Sequence, residues 1–232
     1  MSAHGVFVTG TDTGVGKTYV ACALLRAFAA RGRSVVGMKP VVTGASRDGP
    51  GAIARWDDVD ALAAASSVQA PVSLVSPYAF EPPLAPHIAA ARAGTSIELA
   101  RLAAAFCTLS AMAELTVVEG IGGFRVPLNA EEDTADLASL LGLPVILVVG
   151  LRLGCLSHAL LTAEAVTAQG LRLAGWVANS LDPHMAALED NVGALEARLP
   201  APMLGVLPYA PGDAGAAAAI LACGRHFDCL IR

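Results

Sequence analysis

Residues 10–18 read Gly-Thr-Asp-Thr-Gly-Val-Gly-Lys-Thr, directly after the apolar run 5–9 and directly before a segment with apolar residues at helical spacing, Val20, Leu24 and Phe28. A glycine-rich loop between strand and helix turns successive backbone N–H groups toward one point, which suits phosphate. The lysine adds a positive charge for the outer phosphates, and the hydroxyl after it can ligate Mg²⁺. Those roles fall to Lys17 and Thr18, with Thr13, Gly14, Val15, Gly16 and Tyr19 completing the nucleotide-binding segment. The common spacing places a glycine at position 11; here Thr11 stands there and Gly10 one step earlier, so the loop is a longer variant. Such a loop commits the chain to a strand–loop–helix unit and identifies nucleotide binding, but no particular reaction.

The rest of the sequence continues the alternation. Strands are expected at 34–38, 115–118 (ending at Glu119), 144–149, 172–178 and 203–207, and helices at 17–30, 57–65, 96–112, 134–141 and 185–199. Ser157 is expected to cap a further helix after the strand 144–149. Near-continuous apolar strands separated by helices imply an α/β fold of the P-loop NTPase type, a mostly parallel sheet with helices on both faces. Ligands bind such sheets beyond the carboxyl ends of the strands. Gly10, Lys39, Glu119, Gly150 and Asn179 all fall at or just past a predicted strand end, so they should converge on one edge. The stretch 71–86 carries Pro71, Pro77, Pro82, Pro83 and Pro86, too many for a central element, and reads as an ordered functional loop.

Composition narrows the class. At 232 residues without a linker-like stretch, the chain is expected to be one domain over 1–232. Its apolar fraction of 55% exceeds the usual ~45–50%, which suits a large two-sided core and a subunit interface. No run approaches the ~18 apolar residues of a membrane helix, and the N-terminus enters the loop motif too soon for a signal peptide; a cytoplasmic protein without a membrane partner is the expectation. The net charge of −5 argues against a nucleic-acid partner. Five cysteines without a CxxC pair suggest reduced thiols. Cys223, His226 and Cys229 lie close together but lack a fourth zinc ligand.

Taken with the segments downstream, the loop resembles that of the dethiobiotin synthetase family. The matching pieces are Lys-Pro-Val at 39–41, Pro-His-Ile at 86–88, Val-Glu-Gly-Ile-Gly-Gly at 118–123, Leu-Pro-Val-Ile-Leu-Val-Val-Gly at 143–150, Leu-Gly-Cys at 153–155 and Leu-Ala-Gly-Trp-Val-Ala-Asn at 173–179. The resemblance runs from Phe7 to about Tyr209. It implies an ATP-dependent ligase that carboxylates 7,8-diaminononanoate with CO₂ and closes the cyclic urea through a carbamate and a carbamic–phosphoric anhydride. It further implies Lys17 and Lys39 as catalytic cations; Thr18, Asp60 and Glu119 as Mg²⁺ ligands; and Gly120, Ile121, Gly122, Asn179, Ser180, Pro208 and Tyr209 as nucleotide contacts. Thr11, Thr43, Pro86, Gly154, Cys155 and Ser157 would bind the substrate, the last three from the partner subunit of a homodimer.

Each of these positions has a plainer reading. Lys39 could be a solvated surface lysine, Asn179 a loop asparagine, and Asp57, Asp58 and Asp60 a solvated acidic helix start. The sequence also departs from the family pattern: Gly14 replaces a loop glutamate found in some members, Ile121 a small residue, Thr43 a serine and Ser157 an asparagine. Two other classes compete. A P-loop switch of the partitioning or septum-site type would carry an early loop lysine where this chain has Asp12. A corrin-ring amidase would need a glutamine-hydrolysing set for which there is no spare length. His87 and His158 receive no catalytic role.

Overall fold

A computed structural model describes residues 4–47, 53–209 and 214–224 together with Leu230. The elements in chain order are β1 (Gly5–Gly10), α1 (Lys17–Ala29), β2 (Val35–Met38), β3 (Val41–Thr43), α2 (Asp57–Ala65), α3 (Val72–Val75), β4 (Tyr78–Phe80) and α4 (Pro86–Arg92). They continue with α5 (Leu99–Met112), β5 (Leu115–Glu119), α6 (Thr134–Leu141), β6 (Val145–Leu151), α7 (Cys155–Ala168), β7 (Leu173–Ser180), α8 (Leu188–Glu196), β8 (Met203–Leu207) and α9 (Ala214–Cys223).

Among the described residues six strands form one sheet in the order β2-β5-β1-β6-β7-β8, and every pairing is parallel. The strands are predominantly apolar because both faces are covered, with polar residues such as Glu119, Asn179 and Ser180 at their carboxyl ends. Val6, Val8, Val117, Ile146 and Val148 pack on one face under α1, α2 and α9. Phe7, Val118 and Val145 face the other way, under α4, α5 and α6, and Leu147, Val149 and Trp176 continue that face under α7 and α8. The 2.0-residue period of a strand thus sends successive side chains into different cores. The predicted α/β architecture and the order of its elements are found.

Two expectations change, and a third segment gains an element. The proline-rich stretch 71–86 is not a bare loop: it holds α3 and the strand β4, which pairs in parallel with β3 as a separate ribbon (Val41 with Tyr78, Thr43 with Phe80). Pro71 and Pro86 sit where donors are not needed, at the N-cap of α3 and the first turn of α4. The helix after β6 begins at Cys155, capped by Gly154 in the left-handed conformation, so Ser157 lies within the first turn and caps nothing. The alanine-rich tail, which carried no expectation, supplies α9, and Ala217 and Leu221 share the core of α1. His226 and Cys229 lie outside the described residues, so the Cys223 cluster is not described.

The order β2-β5-β1-β6 creates the switch point that positions the site. The chain leaves β1 toward β2 on one side and reaches β6 on the other, so the loops after β1 and β5 separate at the carboxyl edge and open a crevice between them.

Candidate active site

That crevice is a cleft of about 780 Å³, lined by the loop residues Thr13, Gly14, Gly16, Lys17 and Thr18, by Lys39, Asp58 and Glu119, and by Ile121 and Gly122. Its opposite wall is apolar: Val42, Pro83, Leu84 and Pro86, with Thr43 beside them.

The loop is shaped from below. Val15 is fully buried and wedges between the ends of β1 and β6. A Cβ on Gly10 would lie 2.6 Å from one of its methyls, and one on Gly150 2.8 Å from the other, so both strand ends require glycine. Asn179, at the end of β7, donates from Nδ2 to the Val15 carbonyl at 2.9 Å. Gly16 rests on that amide with φ +92°, and a Cβ there would come within 2.3 Å of Nδ2. Gly16 is also the N-cap of α1, so the helix starts with no side-chain cap and no acidic residue in its first turn. The first amides of α1 therefore have no partner from their own cap, at the end where the helix dipole favours an anion.

The charged groups converge beside this helix start. Lys39 follows β2 and is buried at 3% exposure. Its ammonium contacts Glu119 Oε1 at 2.5 Å, Asp58 Oδ2 at 2.9 Å and the Gly120 carbonyl at 3.2 Å. Burial alone would pull this lysine down, but Glu119 and Asp58 outweigh it and hold the ammonium charged, above its ordinary range. Thr18 Oγ1 lies 2.8 Å from both Asp58 Oδ1 and Glu119 Oε1, its one hydroxyl proton shared between the two carboxylates. For Asp58 burial opposes ionisation, yet Lys39, Thr18 and Lys17 bring its pKa below the usual value. Burial pushes Glu119 up, with Lys39 opposing. Lys17 behaves differently: burial, reinforced by the Lys39 ammonium, brings it down to about 8, and its Nζ donates to the Asp12 carbonyl at 2.8 Å.

The donor set fits a small divalent cation. Mg²⁺ takes one or two carboxylates and a hydroxyl and completes its shell with phosphate and water. Thr18, Asp58 and Glu119 supply that set, and Glu119 Oε2 is buried without a hydrogen-bond partner.

Asp60 is a correction. Its carboxylate lies on the outer side of α2, paired with Arg55 at 2.8 Å, while Asp58 stands in the cluster. Helical geometry gives the reason: Asp58 is one turn before the buried Leu62, about 40° from it around the helix, whereas Asp60 is roughly opposite. That signal was available in the buried spacing Val59, Leu62, Ala65. Sequence reasoning also missed the apolar wall of Val42, Pro83 and Leu84, which has no motif to mark it.

The remaining predicted positions are not all in the cleft. Thr11 is held by a backbone bond to Val148 at 3.0 Å. Val15 and Asn179 lie beneath the loop. Tyr19 packs against the core of α1. Gly120, whose carbonyl meets Lys39, forms the floor at the end of β5, and Ser180, Pro208 and Tyr209 lie at the carboxyl ends of β7 and β8, with Tyr209 half exposed. Gly154, Cys155 and Ser157 form the start of α7. They line no part of this chain's own cleft. His87 and His158 make no contact with the charged cluster; His87 Nδ1 lies 3.3 Å from the Pro127 carbonyl.

A family model described as an AAA domain matches residues 4–214. The ATP-dependent dethiobiotin synthetase BioD of Nitrosospira multiformis is 57% identical over 205 residues, covering 88% of each chain. That of Aromatoleum aromaticum is 55% identical over 208 residues, covering 89% of this chain and 91% of the other, and that of a Janthinobacterium species is 50% identical across 97% and 94%. Among solved structures, the septum site-determining protein MinD of Pyrococcus horikoshii, complexed with Mg-ADP, superposes with a TM-score of 0.55 at 15% identity, covering 98% of this chain and 93% of that one. A ParA family ATPase from Chlorobium tepidum gives 0.53 at 10% identity, covering 99% and 97%. The likeness to the partitioning and septum-site ATPases is therefore one of fold. Sequence identity near half or above, over nine-tenths of the length, is a closer tie, and the chain belongs to the P-loop family of ATP-dependent dethiobiotin synthetases.

Proposed function

We propose that this chain closes the cyclic urea of dethiobiotin from 7,8-diaminononanoate, CO₂ and ATP. The observation that carries the reading is the juxtaposition of Lys39, buried between two carboxylates, with the uncapped start of α1 in a single cleft that also has an apolar wall. The loop alone would serve any nucleotide hydrolase. A fixed cation beside it, with room for an aliphatic substrate, suits the meeting of two anions, a carbamate and a γ-phosphate.

In this reading CO₂ adds to one neutral amine, which loses a proton to solvent, to give a carbamate. A carbamate oxygen takes the γ-phosphoryl group from ATP, releasing ADP, and the second amine attacks the anhydride carbon, losing a proton and expelling phosphate. Lys17 leaves the Asp12 carbonyl for the phosphates, the first turn of α1 holds them at its positive end, and Lys39 offsets the charge gathered between carbamate and phosphate. Thr18, Asp58 and Glu119 would hold Mg²⁺, which when bound neutralises phosphate charge. The apolar wall of Val42, Pro83, Leu84 and Pro86 takes the methylene chain and excludes water from the anhydride.

The assembly belongs to the proposal too: one domain over 1–232 acting as a cytoplasmic homodimer, with Gly154, Cys155 and Ser157 at the start of α7 receiving the far carboxylate of the partner's substrate. No described helix is long and apolar enough to cross a membrane. Leu153, Leu161 on α7 and Leu140 on α6 are exposed apolar side chains that such an interface would cover.

The test is phosphate release from Mg-ATP by purified protein with the diamine and bicarbonate supplied together or singly. Release that requires both, with a cyclic urea as product, is expected. Equal release with neither would remove the synthetase reading and leave a plain ATPase.

A further inference from the structure

The phosphate loop carries a negative charge of its own. Asp12 lines the cleft between Thr11 and Thr13, at the lip through which an anionic nucleotide would pass. Each of its oxygens is engaged. Oδ1 accepts from the Thr13 amide at 2.7 Å, Oδ2 accepts from the Arg152 guanidinium, and the backbone carbonyl accepts from Lys17 Nζ at 2.8 Å. Arg152 lies far off in sequence, one residue past the end of β6, and is not part of the cleft wall. Its backbone is pinned where its carbonyl accepts from Cys155 N at 3.0 Å, at the turn into α7. The opposite loop is pinned as well, by Thr11 N to the Val148 carbonyl at 3.0 Å. The ion pair therefore joins two backbone-anchored loops at the carboxyl ends of neighbouring parallel strands.

We propose that Arg152 is a positioning residue for the nucleotide phosphates: it neutralises Asp12 and fixes the lip of the loop without touching the ligand. The inference rests on the reading of the cleft as an ATP site. Both side chains are roughly half exposed, 46% for Arg152 and 48% for Asp12, and exposed pairs add little to folding stability. The pair matters where the charge of Asp12 matters, beside a polyanion. Without Arg152 the lip would present a carboxylate with only the Thr13 amide and the more distant His158 to offset it, and like charge at the mouth of a cleft lowers the local concentration of ligand. Asp12 would also be free to turn away from Thr13, loosening the carbonyl that parks Lys17.

The experiment is a double-mutant cycle on steady-state kinetics in ATP, with Arg152→Met and Arg152→Lys each made in the native chain and in Asp12→Asn. The KM for ATP should rise about three- to fivefold in Arg152→Met, with kcat and Tm near those of the native chain. Arg152→Lys should recover most of the loss. In the Asp12→Asn background the same Arg152→Met change should alter KM by less than about twofold, because no charge remains to be neutralised. High salt should shrink the Arg152→Met effect. An unchanged KM in Arg152→Met, an equal rise in both backgrounds, or a fall in kcat alone would overturn the proposal. Absence of saturable ATP dependence in the native chain would instead remove the reading on which it rests.

Discussion

Two helices leave the same edge of the sheet, α1 after β1 and α6 after the neighbouring strand β5, and they begin in opposite ways. At α6 the chain satisfies its own amides. Asp133 accepts from Ala135 N and Asp136 N at 2.7 and 3.2 Å, and Asp136 Oδ2 accepts in turn from Asp133 N at 2.8 Å, a complete capping box. At α1 the cap is Gly16, which has no side chain to offer, and Lys17 and Thr18 follow where acidic residues would ordinarily stand. One helix start is finished by the sequence, and the other is left for an anion to finish. The difference separates a structural helix end from a functional one. It can be read in four residues each: Asp-Thr-Ala-Asp against Gly-Lys-Thr-Tyr.

The largest effect should come from the charge beside α1. Lys39→Met should lower kcat by roughly 10²–10³-fold, the usual loss for a fixed charge aimed at a transition state. Nucleotide affinity, measured by calorimetry, should stay within about threefold, because Lys39 is held by Glu119 and Asp58 and not by the loop. Retained turnover would remove Lys39 from the reaction. Next in size is the contrast between two carboxylates on one helix. Asp58→Asn should weaken Mg²⁺ dependence and cost roughly tenfold or more in kcat/KM, whereas Asp60→Asn, which loses only an exposed pair with Arg55, should leave both within about twofold. Equal losses would mean that the placement of α2 relative to the loop is wrong.

A smaller effect is a matter of pH. Lys17 sits at about 8 in the ligand-free chain, through burial first and the Lys39 ammonium second. Phosphate would favour its charged form, so its pKa is higher in the complex than in the free protein. Between those two values binding takes up a proton, and affinity falls as pH rises above 8, at most about tenfold per unit. Calorimetry at pH 8.5 in two buffers of different ionisation enthalpy should show the uptake, and Lys17→Met should abolish it. No uptake in the native chain would mean that Lys17 is charged throughout. The smallest effect on function belongs to the other helix. Asp133→Ala should cost about 1 kcal/mol of stability, seen as a lower Tm, with ATP affinity unchanged. A loss of affinity there would break the distinction between the two helix starts.

How much of this was legible in the sequence follows from the range of each interaction. The strand–loop–helix at 5–29 and the alternation after it are local, and periodicity and glycine placement reveal them. The convergence of Lys39 and Glu119 was also legible, because parallel strands bring their carboxyl ends to one edge whatever the loops do. The resemblance points to Asp60, not Asp58; the facing of a helix is set by what it packs against, and the buried line through Val59 and Leu62 turns Asp58 inward. The small ribbon of β3 and β4 hid inside a proline-rich stretch, because three-residue strands leave no periodicity to count. Asn179 fell at the predicted strand end, but its amide is committed to the Val15 carbonyl below the loop, a tertiary contact that no local pattern announces. The Arg152–Asp12 pair, 140 residues apart in sequence, was illegible for the same reason.

The central claim is that phosphate and carbamate meet at the uncapped end of α1. It is tested most directly by following oxygen. If the γ-phosphoryl group passes to a carbamate oxygen, the phosphate expelled at ring closure carries that oxygen away. With ¹⁸O-labelled bicarbonate, rapidly mixed before the label exchanges with water, each cyclic urea formed should yield one phosphate bearing a single ¹⁸O. Unlabelled phosphate produced in step with the urea would contradict the account.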